Sequence, residues 1–342
     1  MQLQWKSFQL KFTHPFTISK GTKTHQPTTV VSLEYMGQIG YGEAPAIAYY
    51  NITTDQMEAE LEKKKAMIEK FAFTEPGRYW HFLHHLMPNN PFLVCALDIA
   101  AWDLFGKLRR QPLYKMMGAE SMQGPGTDFT IGIDSIEKMV AKMQEKPWPI
   151  YKIKLGTDYD IEIMTELRKH TKSLFRIDAN AAWKAGEALE KIEVFKTLGV
   201  EFIEQPLAKD DWEGMKWLFE KSSLPLIADE SCAHETDVAK CEGYFNGINI
   251  KLTKCSGITP ALRMIRDARK RNMKIMVGSM NESSIGTAAI AHLCPLIDYV
   301  DMDGPLLQTE DLADGLRFDD NGNASIEGPY GLGITPHAGI FN

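Results

Sequence analysis

Two kinds of apolar spacing divide the chain. Over residues 1 to about 50 the pattern alternates. MQLQWKSFQLKF places apolar and polar side chains on opposite faces of an extended backbone, and TTVVSLEYMGQIGYGEAP carries two apolar runs around a turn at Gly37. Alternation of this kind predicts antiparallel strands. The run TTDQMEAELEKKKAMIEK (53–70) predicts a solvated helix capped by Thr53 or Thr54. After the turn cluster PNNP (88–91), FLVCALDIAAWDLFGKLRR repeats apolar residues at three and four, with Gly106 near its end. That predicts a buried helix. Strands followed by helices make a small α+β domain over residues 1–115.

From residue 127 strands and helices alternate. Apolar segments centre near Phe129, Ile153, Ile177, Ile203, Ile227, Asn249, Met276 and Val300, at intervals of 22 to 27 residues. Helical stretches such as YDIEIMTELRKHT and TPALRMIRDARKRN lie between them. Eight strands at one βα spacing predict an α/β protein with a (β/α)₈ barrel over residues 116–305. An open doubly wound sheet also alternates, but no GxGxxG follows a strand and no Walker A loop is present. The tail, 306–342, holds Phe318, Ile326, Leu332 and Ile334 among Gly, Asp and Pro. It is expected to return to the first domain, completing the cap.

Composition narrows the partners. Lys and Arg total 38 against 45 Asp and Glu, a net charge of −7 that disfavours nucleic acid. No apolar run approaches the roughly 20 residues of a membrane helix, and the opening residues do not resemble a signal peptide. Five scattered cysteines without a CxxC pair fit buried free thiols better than disulfides or zinc. A soluble, cytoplasmic protein is expected, with no membrane partner.

The strand ends carry the chemistry. In barrels of this kind catalytic groups sit at the C-terminal ends of strands, around one mouth. Successive ends here offer Lys152 and Lys154 (YKIKLG), Asp178 and Asn180 (RIDANAAW), Glu204 (FIEQP), Asp229 and Glu230 (IADES), Lys251 (INIKLT), Ser279 and Glu282 (VGSMNESS), and Asp301 and Asp303 (VDMDGP). Residues at i and i+2 of a strand face one side, so Lys152 with Lys154, Asp178 with Asn180, and Asp301 with Asp303 read as same-facing pairs. Asp178, Glu204 and Asp229 come from three consecutive strands. Converging carboxylates repel, and a divalent cation relieves that; oxygen-only ligands favour Mg²⁺. Lys154 and Lys251 come from opposite sides of the ring. Placed about one carbon, they would take a proton from one face and return one to the other, and Lys152 with the metal would depress the pKa of Lys154.

In this order and spacing, KIK, DAN, EQP, ADES, IKL and GSMNESS resemble the enolase superfamily, specifically its muconate-lactonizing branch. The resemblance covers essentially the whole chain. It implies an enolase-like cap and barrel, one Mg²⁺ per active site held by Asp178, Glu204 and Asp229, and Lys154 and Lys251 as the acid/base pair. Lys152 would contact the enolate, and Asn180 and Glu230 would support the metal ligands from behind. Ser279, Met280 and Glu282 of the GSMNESS segment would face substrate. Asp301-Met302-Asp303 resembles the Asp-x-Asp of dipeptide epimerases, where the pair receives the substrate's free α-ammonium. Two same-facing carboxylates suit a cation by charge-assisted hydrogen bonding, and muconate and succinylbenzoate carry none. The loop Pro15–Gln26 resembles the segment that closes over substrate, with Lys20 and Lys23 positioned to meet an acidic second residue. Gly21 stands where some Ala-Glu epimerases place an arginine.

The expected activity is therefore Mg²⁺-dependent epimerisation of a dipeptide at the α-carbon of its C-terminal residue, by two-base proton transfer through an enolate. L-Ala-D/L-Glu or a related dipeptide is the expected small-molecule substrate, with a role in cell-wall peptide metabolism, and the protein is expected to form a homo-oligomer. The alternatives are an N-succinylamino acid racemase, an o-succinylbenzoate synthase or a cycloisomerase of the same branch. A non-catalytic metal-binding scaffold is the alternative from another class.

Overall fold

The computed structural model describes residues 1–341. An antiparallel sheet opens the chain, β1 (Gln2–Ile18), β2 (Gly21–Tyr35) and β3 (Gln38–Pro45) in that order. Met36 and Gly37, both at positive φ, form the tight turn between β2 and β3, the conformation that suits the right-handed twist of paired strands. The Pro15–Gln26 segment differs from the expected loop. The β1–β2 ladder slips register between Lys11 and Phe16, then resumes through Phe16↔Lys23 to Ile18↔Gly21. Phe16 and Ile18 alternate with Thr17, so the ladder can continue. The irregularity at residues 12–15 re-aims the hairpin tip, and the Ile133 amide donates to Thr17 O at 2.9 Å. The tip is thereby seated on the barrel.

Four helices follow, α1 (Thr54–Glu69), α2 (Pro76–Leu86), α3 (Pro91–Arg109) and the short α4 (Leu113–Met116). Thr53 is the cap of α1. Its hydroxyl accepts from the Gln56 amide and the Gln56 side chain returns to the Thr53 amide, satisfying two terminal donors at once. The buried helix α3 lies against β3 so closely that a Cβ added at Gly42 would stand 1.9 Å from Ala96 O, and one at Gly40 2.1 Å from Ala100 O. Gly42→Ala is expected to cost about 1–3 kcal/mol by overpacking. At Gly77 of α2 an added Cβ meets nothing within 4 Å, so Gly77→Ala should be neutral or slightly stabilising. Urea unfolding of the two variants checks this; equal midpoints would refute the close approach.

The eight parallel strands of the barrel are β4 (Phe129–Ile131), β5 (Ile150–Lys154), β6 (Leu174–Asp178), β7 (Val200–Glu204), β8 (Leu226–Ala228), β9 (Gly247–Lys251), β10 (Lys274–Gly278) and β11 (Tyr299–Asp301), paired in chain order. A parallel bridge between Thr127 and Val300 brings the two edges together. Every expected strand centre falls in its strand, Val300 at the middle residue of the short β11. The outer helices are α5 (Ile136–Glu145), α6 (Asp160–His170), α7 (Ala185–Thr197), α8 (Trp212–Lys221), α9 (Glu235–Cys241), a single turn α10 (Leu252–Cys255) running into α11 (Ile258–Lys270), α12 (Ser284–Ala291) and the one-turn α13 (Gly304–Leu307).

The cap is tied to the barrel by buried carboxylates. Glu43 of β3 accepts from the Ser283 amide and hydroxyl and from the Gly286 amide, closing the N-terminus of α12. Asp98 of α3 accepts from the Thr259 amide at 2.9 Å and hydroxyl at 2.7 Å. In the tail, the Thr309 amide donates to Lys11 O and the Leu332 amide to Asp103, while His292 of the barrel meets Leu332 O. Phe318 and Ile326, on short paired strands, pack at the margin of the barrel core, and Leu332 and Ile334 are buried in it. All five cysteines are buried and free. Among the described residues no helix is long and apolar enough to cross a membrane.

Candidate active site

Parallel pairing sets the carboxylates side by side. Lys154 of β5 is in register with Asp178 of β6, and Asp178 with Glu204 of β7. One ligand oxygen from each of Asp178, Glu204 and Asp229 lies within 4.8 Å of the others, and all three residues are buried. Each is met by a lysine. Lys154 Nζ donates to Asp178 Oδ2 at 2.6 Å and Lys251 Nζ to Asp229 Oδ2 at 2.9 Å. Lys152 Nζ, fully buried, lies 2.7 Å from both Glu204 Oε2 and Asp301 Oδ2.

Electrostatics follows from this packing. Burial works to raise Asp178, but the Lys154 and Lys152 ammoniums overcome it and hold the acid at about 2. Burial also opposes ionisation of Asp229, yet Lys251 and Lys254 keep it below the usual range. Glu204 goes the other way, raised to about 7 by burial and then by the Asp178 charge. Its Oε2 touches Lys152 without an aligned hydrogen bond, and its Oε1 accepts from Asn249 at 2.7 Å. A buried carboxylate oxygen lacking an aligned donor, in an all-oxygen triad, fits a hard divalent cation. Burial disfavours the Lys251 ammonium, but Asp229 and Glu204 hold it above the ordinary lysine range.

A cavity of about 290 Å³ opens over the triad, between the barrel mouth and the cap. Lys154, Lys251, Asp229, Asn180, Glu230, Ser279, Met280, Asp301 and Lys20 all line it. Other sequence candidates lie behind its wall. Lys152 is enclosed among Glu204, Asp301 and Asp178. Glu282 turns back to accept the Met280 amide, and burial with the nearby Glu43 raises it to about 7. Asp303 accepts the Thr130 amide at 2.6 Å and is raised to about 7 by burial and the Asp301 charge.

The expected same-facing pairs need correction. Only Lys152 and Lys154 lie within one strand. Strand β6 ends at Asp178, and Asn180 follows in a left-handed turn, its amide donating to Asp178 Oδ1 at 2.9 Å. Strand β11 ends at Asp301, leaving Asp303 in the following turn. Glu230 does not bond the triad; its carboxylate accepts from Lys20 at 2.9 Å, and the Lys20 ammonium also sits 4.0 Å from the Tyr49 ring. Lys20 is thus paired within the protein. Lys23 bonds only the Gln26 side-chain oxygen, at 3.0 Å, and among the described residues no carboxylate forms an ion pair with it. Burial, then the Lys251 and Lys154 charges, lower it to about 8.

The motifs missed several groups. Gln205 accepts the Asp229 and Ser231 amides with one oxygen and so fixes the turn after β8; its place in EQP was the only signal. Tyr49 and Tyr50 reach the cavity from the cap, with no sequence mark beyond being a pair of aromatics.

Comparison with known proteins places this geometry. Residues 5–118 match the family described as mandelate racemase / muconate lactonizing enzyme, N-terminal domain, and residues 135–339 match enolase C-terminal domain-like proteins. A Maribacter sp. protein named L-Ala-D/L-amino acid epimerase is 51% identical over 98% of this chain and 99% of its own. The L-Ala-D/L-Glu epimerase of Bacillus subtilis, solved as a substrate-liganded complex, superposes with a TM-score of 0.92 at 28% identity, covering 98% of each chain. A Cytophaga hutchinsonii dipeptide epimerase complexed with Mg and D-Ala-L-Val gives a TM-score of 0.92 at 26% identity, over 100% of this chain and 97% of that one.

Proposed function

The chain belongs to the mandelate racemase / muconate lactonizing enzyme family of enolase-like proteins, and on that premise we propose that it is a dipeptide epimerase using one Mg²⁺ per active site. The observation that carries this reading is the cavity's lining: Lys154, Lys251 and Asp301 face one space of about 290 Å³. Two amines from opposite sides of the ring suit proton transfer at one carbon. A carboxylate beside them suits an α-ammonium.

Asp301 receives the ammonium of the N-terminal residue and so sets the α-carbon of the second residue between the lysines. Asp178, Glu204 and Asp229 would hold the Mg²⁺, which would supply positive charge to offset these acids and to stabilise negative charge on the substrate carboxylate. Lys154 or Lys251, as the amine, takes the α-proton from one face. The opposite lysine, as the ammonium, returns a proton to the other face and the centre inverts. Tyr49, Tyr50 and the seated hairpin tip exclude water from the reacting carbon.

Lys23 supports a preference at the second residue. A partly desolvated ammonium that forms no ion pair with a carboxylate among the described residues is the natural contact for an acidic side chain, so Ala-Glu and Ala-Asp are the favoured class. A mass-spectrometric screen of dipeptide libraries in D₂O with Mg²⁺ tests the whole reading. Deuterium gain is expected at the second residue, fastest for acidic side chains, and Lys23→Met should lower that preference about tenfold while sparing apolar residues. N-succinylamino acids exchanging faster than free dipeptides would move the assignment to the racemases of the branch.

A further inference from the structure

Four lysines touch the triad Asp178, Glu204 and Asp229, and Lys254 is one to which the reaction above gives no role. Lys254 lies three residues after Lys251, on the single turn α10, and is 2% exposed. Its ammonium donates to Asp229 Oδ1 at 2.6 Å, to the Asp229 main-chain oxygen at 2.5 Å and to Cys232 O at 3.3 Å. An ammonium has three protons to donate. All three are thus directed to the turn that carries Asp229, and Lys254 does not line the cavity.

The other acids are held differently. Asp178 Oδ1 accepts a main-chain amide and Glu204 Oε1 a side-chain amide, both neutral donors. Asp229 alone is gripped through both oxygens by ammoniums, Oδ1 by Lys254 and Oδ2 by Lys251. With Oδ1 bound from behind, the carboxylate cannot rotate, and Oδ2 is the oxygen left to face Lys251 and the triad. Residues that orient ligands in this way commonly change metal affinity by 10–100-fold when removed.

We propose that Lys254 is a positioning residue, which orients Asp229 as a metal ligand and, through Asp229, sets the place of Lys251. The inference rests on the epimerase reading for its second half only; the first half concerns metal binding without substrate. Because Lys254 reaches Lys251 through Asp229, while Lys154 is held by Asp178, its loss should fall unevenly on the two faces of the reaction.

The test uses the full chain with Lys254→Met, which keeps most of the unbranched side chain and removes its charge, and Lys254→Arg, which restores a cation. Calorimetric titration with Mg²⁺ in the absence of dipeptide should give a Kd raised 10–100-fold in Lys254→Met and restored to within about threefold in Lys254→Arg. At saturating Mg²⁺, α-proton exchange in D₂O is then followed for each epimer separately. The epimer whose exchange is lost in Lys251→Ala should slow about tenfold or more in Lys254→Met, with the other slowing less than about threefold. Unchanged Mg²⁺ affinity with equal slowing of both epimers, or a lowered Tm alone, would overturn the proposal and leave Lys254 a packing residue. If Lys254→Met does not fold, Lys254→Gln carries the same measurements. A wild type that binds Mg²⁺ but exchanges no α-proton would sink the epimerase reading and leave the metal result to stand by itself.

Discussion

Lys154→Ala and Lys251→Ala should each lower epimerisation by roughly 10²–10⁴-fold or more, the range a positioned acid or base contributes. The more telling result is what each variant retains. With Lys251 gone, the epimer whose α-proton faces Lys154 should still exchange with solvent, and the reverse should hold for Lys154→Ala. Each lysine lines the cavity and bonds a different acid, Lys154 to Asp178 and Lys251 to Asp229. Losing one therefore leaves the other's anchoring intact. Exchange measured by proton NMR on the two epimers separately decides the matter. One variant losing exchange on both epimers while the other keeps it on both would mean one shared base; both remaining active would remove the lysines from the chemistry.

Asp301→Asn should harm only substrates with a free amino terminus. Asp301 lines the cavity, whereas Asp303 is turned to the Thr130 amide, so the first of the pair is the one to change. Breaking a charge-assisted contact to an ammonium costs on the order of 2–5 kcal/mol when a charge is left unpaired. That corresponds to roughly 30- to several-thousand-fold in kcat/KM. Lys152, the other partner of Asp301, keeps its contact with Glu204, so the metal ligands should be little disturbed. An N-acetylated dipeptide has no ammonium to lose, and the variant should match the wild type on it. Equal losses on free and acetylated dipeptides would make Asp301 a support for Lys152 and return the substrate class to the branch as a whole.

The strand-end reading worked because barrel geometry is local and periodic. A strand turns alternate side chains to one face and a βα unit repeats at nearly constant length, so Lys154, Asp178, Glu204, Asp229, Lys251 and Asp301 could be assigned to one mouth by counting. Counting failed where periodicity stops. Asn180 and Asp303 lie just past their strands, in turns whose direction depends on left-handed backbone and on the next element, not on i+2 parity. The Pro15–Gln26 segment looks like a loop because Pro, Gly and Lys punctuate it. It is ladder, since cross-strand pairing and the seat of Thr17 against the Ile133 amide outweigh those local signals.

Depth was also unreadable. Lys152 and Glu282 carry the same polar character as the residues that line the cavity, yet they are buried among acids or amides, and Lys20, which does line it, is held by Glu230. Lys254 sits in plain view in the IKLTK segment, and nothing in that string says its ammonium reaches Asp229. The sequence by itself determined the strand order and the mouth at which acids and lysines gather, because both follow from spacing along one chain. Tertiary structure decided which of those groups face the cavity, that Lys23 bonds the Gln26 side chain and, among the described residues, no carboxylate, and how Tyr49 and Tyr50 arrive from the cap. Those choices depend on distances between segments far apart in the chain. Burial and ion pairing are set by such distances, and one-dimensional spacing carries no record of them.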